Sequence, residues 1–116
     1  MVGVLPEKID LEIYQGDDFY MTLWVTNPDT GALVNVTGYT FRSQIRATTD
    51  SEVILASFTF AVGGLGKVDA HLSGAATGQL PVGNCVWDFE MTNPTGSGQV
   101  MTPCAGVVVV TAQVTR

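Results

Sequence analysis

The chain has 116 residues, 46% hydrophobic and 14% charged, with 11 acidic side chains against 5 basic ones and a formal net charge of −6. That length holds one core of ordinary size without metal or disulfide staples, and the apolar content excludes a disordered chain. The negative balance is the wrong sign for gripping phosphates, so no nucleic-acid partner is expected.

The opening MVGVLPEKID lacks the basic flank and long apolar core of a secretory signal, and no apolar run reaches the length that crosses a bilayer. Synthesis in a cytoplasm and no membrane partner are the expectations. Residues 1–7 read as an N-terminal arm, free or docked on a neighbour, and residues 8–116 as a single β-sandwich domain. The first strand, residues 8–14, sets Ile9, Leu11 and Ile13 on one face and Asp10 and Glu12 on the other, the pattern of a half-exposed edge.

Gln15, Gly16, Asp17 and Asp18 turn the chain into DFYMTLWVT, where Phe19, Met21, Leu23 and Val25 alternate with Tyr20, Thr22 and Trp24. Aromatics stand on both faces. The second face is therefore either covered by a neighbouring subunit or a solvated sheet surface with a Tyr and a Trp among threonines. After the reversal at NPDTG, a short strand is expected over residues 32–36, followed by one at 40–47. In the latter, Phe41, Ser43 and Ile45 oppose Arg42, Gln44 and Arg46. The two arginines would lie across from Asp88 and Glu90 if those strands are neighbours, worth a few tenths of a kcal/mol per pair.

Residues 53–60 are apolar on both sides and read as a central or covered strand. Gly63, Gly64 and Gly66 mark a bend. Val68, Ala70 and Leu72 then alternate with Lys67, Asp69 and His71. The stretch SGAATGQL breaks the rhythm, as one helical turn across the end of a sandwich does, with Leu80 plugging the core. In NCVWDFEMTN the alternation is strict: Cys85, Trp87, Phe89 and Met91 against Val86, Asp88, Glu90 and Thr92. This is the expected central core strand, and the turn that follows reverses the chain into a last strand beside it. Strands at this spacing, separated by Gly and Pro turns, define an all-β chain, an antiparallel β-sandwich of seven to nine strands with at most one short helical turn.

Candidate chemistry is sparse. His71 is the one histidine, no nucleophile motif stands near it, and it reads as a surface strand residue. Asp69 with His71 gives two metal ligands without a third, and Asp88 with Glu90 sits side by side on one strand, not across a cleft as in a glycosidase. No catalytic residue, cofactor or metal is expected. Asn35-Val36-Thr37 matches the glycosylation pattern but carries little weight without a secretory signal. Cys85 and Cys104 are too few for a zinc site, leaving buried thiols, favoured by compartment, or one disulfide. Counting out from the turn puts Cys85 opposite about Gly106, so the sulfurs would be diagonal. The run at residues 107–110 is prone to aggregate on an open edge, and either the facing sheet or a strand from a neighbouring subunit must cover it.

The segments QGDDFYMTLWV, NVTGYTFRSQIRA, LSGAATGQLPVGNCVWDFEMTNPTGSGQV and GVVVVTAQVTR occur in this order over residues 15–116. In that order the chain resembles a family of small proteins and N-terminal modules of tailed bacteriophages, and its first part is similar to the N-terminal domain of phage baseplate upper proteins. The resemblance implies an immunoglobulin-like sandwich and a virion structural protein without catalysis, made in the host bacterial cytoplasm. Relatives that continue into fibre or receptor-binding regions are longer. A chain ending at VTR fits an accessory subunit, either head decoration or a tail or baseplate component, whose partners are other phage structural proteins and copies of itself. The interface candidates are Val2, Val4 and Leu5 in the arm, Tyr20 and Trp24, and Val108, Val110 and Val114 in the last strand. The alternative is a carbohydrate- or host-receptor-binding module in which Tyr20, Trp24 or Tyr39 stacks on sugar faces.

Overall fold

In a computed structural model, residues 7–27, 29–94 and 98–115 are described. They form nine strands and one helical turn: β1 (Glu7–Lys8), β2 (Leu11–Tyr14), β3 (Phe19–Trp24), β4 (Thr40–Arg46), β5 (Ala56–Ser57), β6 (Thr59–Gly64), β7 (Lys67–Leu72), α1 (Gly74–Thr77), β8 (Gly83–Thr92) and β9 (Val100–Thr111). One sheet runs β1-β9-β8-β4-β5, with β2 also on β9, and the other runs β3-β7-β6. The fold is an all-β sandwich, as the period-two rhythm requires. The strands pair on the immunoglobulin-like plan, β3, β7 and β6 taking the places of strands B, E and D and β4, β8 and β9 those of C, F and G. The plan's inter-sheet disulfide is missing, since Cys85 and Cys104 are free and buried.

The strict alternation of β8 drives Cys85, Trp87, Phe89 and Met91 into the space between the sheets. Ile13, Ile45, Val68, Leu72 and Val108 meet them from both layers. Phe41 stacks on Phe89 and both meet the tilted ring of Phe60, at centroid distances of 5.6 to 5.7 Å. Each such side chain buried contributes roughly 1.5–3 kcal/mol. At one end α1 closes the sandwich. Ser73 Oγ caps it by accepting the Ala76 N–H, and buried Thr77 donates to the Asp17 carbonyl at 2.8 Å, tying the turn to the loop before β3. Leu80 fills the core beneath it, as expected.

The first strand is an edge, but it pairs parallel with β9 and is not continuous. At Ile9 and Asp10 the backbone leaves the ladder and passes over Gly106, where any Cβ would run into the Ile9 carbonyl. Trp87 Nε1 donates to the Ile9 carbonyl at 2.8 Å, and Asp10 Oδ1 accepts the Val107 N–H at 3.0 Å in place of a backbone carbonyl. Glu7, placed in the arm by sequence, pairs with Cys104 in β1.

Two predicted strands are absent. Residues 32–36 make a single bridge, Leu33 with Thr26, because β7 fills the place beside β3 up to Gly66 and leaves room only beyond it. Residues 53–60 are not one central strand. Val53 and Ile54 lie exposed in a loop, β5 makes a two-residue edge on β4, and the chain changes sheet at Phe58 to continue as β6 beside β7. The segment is apolar on both sides because it serves two sheets in turn. The register of β8 with β9 also differs from the count by two: Cys85 faces Val108 and Cys104 faces Phe89, with a shift between Phe89 and Met91. Four residues of strand then separate the cysteines, beyond the reach of a disulfide.

Candidate functional site

The outer face of the three-stranded sheet carries the largest exposed aromatics of the described residues. Period two in β3 turns Leu23 inward and leaves Tyr20 71% and Trp24 58% exposed, with Thr22 between them. Across the ladder Tyr20 faces His71, Thr22 faces Asp69 and Trp24 faces Lys67. The Tyr20 ring stacks on the imidazole, centroids 4.4 Å apart and planes at 12°. His71 Nε2 lies 3.4 Å from Asp18 Oδ1, which also accepts the Gly74 N–H at 3.0 Å. Thr22 Oγ1 donates to Asp69 Oδ1 at 2.8 Å, and Lys67 Nζ stands 4.0 Å from Asp69 Oδ2. These mutual contacts fix the side chains as a preorganised surface around a shallow groove of about 420 Å³ lined by Tyr20, Thr22, Thr59, Asp69 and His71.

The outer face of the larger sheet is charged instead. β4 and β8 are neighbours and Arg42 opposes Glu90, but Arg46 opposes Val86 and Asp88 faces Gln44, so only one of the two expected charge pairs lies directly across the ladder. Arg46 is held by the Ser51 carbonyl at 2.7 Å and Gln44 Oε1 at 2.9 Å. Arg42, Gln44, Arg46, Asp88 and Glu90 line a groove of about 530 Å³. Partial burial raises the Asp88 carboxyl above the ordinary range and Glu90's charge adds to it, while Arg46 and Arg42 pull it down. Both carboxylates lie on one strand face, without a partner carboxyl across a cleft.

The thiols are poor nucleophiles. Burial, then the charges of Glu7 and Asp88, pushes Cys104 up to about 12, and burial raises Cys85 as well. Among the described residues no three His, Cys, Asp or Glu gather as a metal site.

The sequence candidates divide. Val2, Val4 and Leu5 lie outside the described residues. Tyr20 and Trp24 are exposed on one face. Val108 and Val110 are corrected: at 0% and 2% exposure they are core, because β9 has β8 on one side and β2 on the other and its inner face meets the facing sheet. Val114 is 83% exposed, its N–H donating to Tyr14 Oη at 3.0 Å. Tyr39 is half-buried and packed against the core, not offered to a ligand. Sequence reasoning missed the Asp18–His71–Tyr20 cluster. Both strands' faces were legible, but nothing in the chain marked β7 as the neighbour of β3.

No protein-family model matches this chain, and no curated protein matches it.

Proposed function

We propose that the chain is a non-enzymatic structural subunit of a tailed-phage particle, an accessory sandwich that packs against larger head or tail proteins and stabilises them. The observation that carries this reading is β3: a strand with one side unpaired among the described residues and with Tyr20 and Trp24 exposed on its outer face. Large amphipathic rings at a fixed spacing and an unpaired ladder are what a recurring protein contact uses. The order of the four segments resembling phage modules supports the same reading and gives the kind of particle. Its working place is then the virion, after synthesis in the host cytoplasm.

The test is co-purification. In cells producing the phage, the chain bands with complete particles on a density gradient, and Trp24→Ala with Tyr20→Ala reduces its share. A chain that stays at the top of the gradient while particles band normally overturns the proposal.

A second reading has its own observation. Tyr20 and Trp24 stand four residues apart on one face, about 13 Å at the rise of a strand, with the polar groups of Thr22 and Asp69 between them, an aromatic-polar-aromatic strip on which non-adjacent rings of an oligosaccharide would stack. Glycan-array binding that vanishes in Trp24→Ala supports it. A blank array with the folded protein removes it.

A further inference from the structure

The edges of the two sheets are not treated alike. On one side of the larger sheet, β1 and β2 are short, interrupted at Ile9 and Asp10, and carry Glu7, Lys8 and Glu12. On its other side β5 has two residues. In the smaller sheet β6 ends in Gly63 and Gly64 with a register shift. Charges, brevity, glycines and bulges are the devices that stop an edge from recruiting another strand. Edge strand β3 has none of them. It runs six residues, FYMTLW, in unbroken register with β7, without charge, proline or glycine.

Its open backbone groups can be assigned. The Val25 N–H donates to the Gly66 carbonyl at 2.7 Å and the Val25 carbonyl accepts the Val34 N–H at 2.9 Å, so Val25 turns both groups toward the β7 side. Antiparallel strands alternate this direction residue by residue. The N–H and C=O groups of Tyr20, Thr22 and Trp24 therefore point to the open edge, where no described strand meets them.

The side chains around Thr22 repeat in reverse. Met21 and Leu23 flank it on the inner face, Tyr20 and Trp24 on the outer, Phe19 and Val25 on the inner again. A strand with such a pattern is complementary to an inverted copy of itself, the condition for an isologous two-fold contact. We infer that β3 pairs antiparallel with β3 of a second copy, with the two-fold axis at Thr22, joining the two small sheets into one of six strands. Naming this partner rests on the reading of the β3 face as an assembly surface.

In that register Tyr20 lies opposite Trp24 of the second copy and Thr22 opposite Thr22, aromatic and hydroxyl pairs of the kind that stabilise antiparallel ladders. The three residues that turn their groups outward are the ones that bond. Met21 meets Leu23 and Phe19 meets Val25 on the inner face, which covers Phe19 and Met21, both left half-buried in the single chain. A slip of two residues sets Tyr20 against Thr22 and brings the charge of Asp18 beside Trp24. Charge favours the same arrangement. A chain of net charge −6 repels its copy, yet β3 itself is neutral, and the inverted pairing puts Lys67 of one copy at the same end as Asp18 of the other.

Cysteine crosslinking reads the register. Opposed residues in a hydrogen-bonded pair have Cα atoms about 5.5 Å apart, within disulfide range. Under mild oxidation Thr22→Cys gives a covalent dimer. Tyr20→Cys and Trp24→Cys link when mixed and not when oxidised separately, while buried Cys85 and Cys104 stay silent. Sedimentation of the full chain shows a dimer at micromolar concentrations. Thr22→Pro, which removes an outward N–H and no bond to β7, sediments as a monomer with an unchanged β spectrum. A second variant, Tyr20→Lys, gives the same shift if the proline disturbs folding. A chain that stays monomeric with Thr22→Cys unlinked overturns the inference, as does a dimer that survives Thr22→Pro, or a monomer that dimerises only when residues 1–6 are deleted. A monomer that still bands with particles refutes the second-copy pairing and leaves the structural role standing; a dimer that never joins a particle does the reverse.

Discussion

Strands β9 and β3 invite opposite expectations and receive opposite treatment. β9 carries four consecutive valines and looks like the hazard, but β8 and β2 occupy both of its sides and Val108 and Val110 are core. β3 is the milder sequence, but one of its sides is bare in the described chain. The difference teaches that apolarity reports what covers a strand's faces, while topology decides what covers its edges. A sticky composition is safe in the middle of a sheet, and an unremarkable one is available at the rim.

Val108→Asp breaks the comparison hardest. A carboxylate between sheets, on a strand paired on both sides, costs more than about 3 kcal/mol, and urea unfolding should find little folded protein. A native midpoint would contradict the position of β9. Gly106→Ala comes next, at about 2–3 kcal/mol, because the obstacle is the Ile9 backbone and not a side chain that can swing away. If its midpoint matches the native chain, the close approach of β1 and β2 to β9 is wrong.

Alkaline pH gives a smaller and graded effect. The folded state holds Cys104 near 12 against an ordinary value of 9.0, so the neutral thiol is favoured by folding. The stability from this group is complete below its ordinary value and is lost as pH rises toward about 12. Urea midpoints should fall over that window, less steeply in Cys104→Ala, and an identical slope in the two proteins would refute the burial. At the small end, Trp24→Ala changes monomer stability by no more than about 0.5 kcal/mol, as exposed sites do, while weakening self-association measured by sedimentation. A large loss of stability would show that Trp24 belongs to the fold and not to a surface.

Much of this was legible in particular residues. The alternations in β7 and β8 placed Val68, Ala70, Leu72, Trp87 and Phe89 inward, SGAATGQL announced α1, and Tyr20 and Trp24 were marked as outward aromatics. Residues 53–60 read as one strand because apolar side chains on both sides of a segment look the same whether two sheets cover one strand or one segment passes between two sheets. Val108 and Val110 read as interface candidates for a related reason: a valine run has no polar face to say which side is wet, and the pattern leaves open whether the facing sheet or another subunit covers it. The Asp18–His71–Tyr20 cluster joins positions 53 residues apart, and no local pattern encodes that neighbour.

The sequence by itself determined which side chains turn inward in the strictly alternating strands, where most of the turns fall and that the product is two layers of strands. These follow from the two-residue repeat of an extended backbone and from the turn preferences of Gly, Pro, Asn and Asp, both local properties. Only the tertiary structure decided that β1 and β2 run parallel to β9, that the chain changes sheet at Phe58 and that β3 has one neighbour among the described strands. Those are choices among strands with nearly equivalent ladders, settled by how the whole set packs around Phe89 and Trp87.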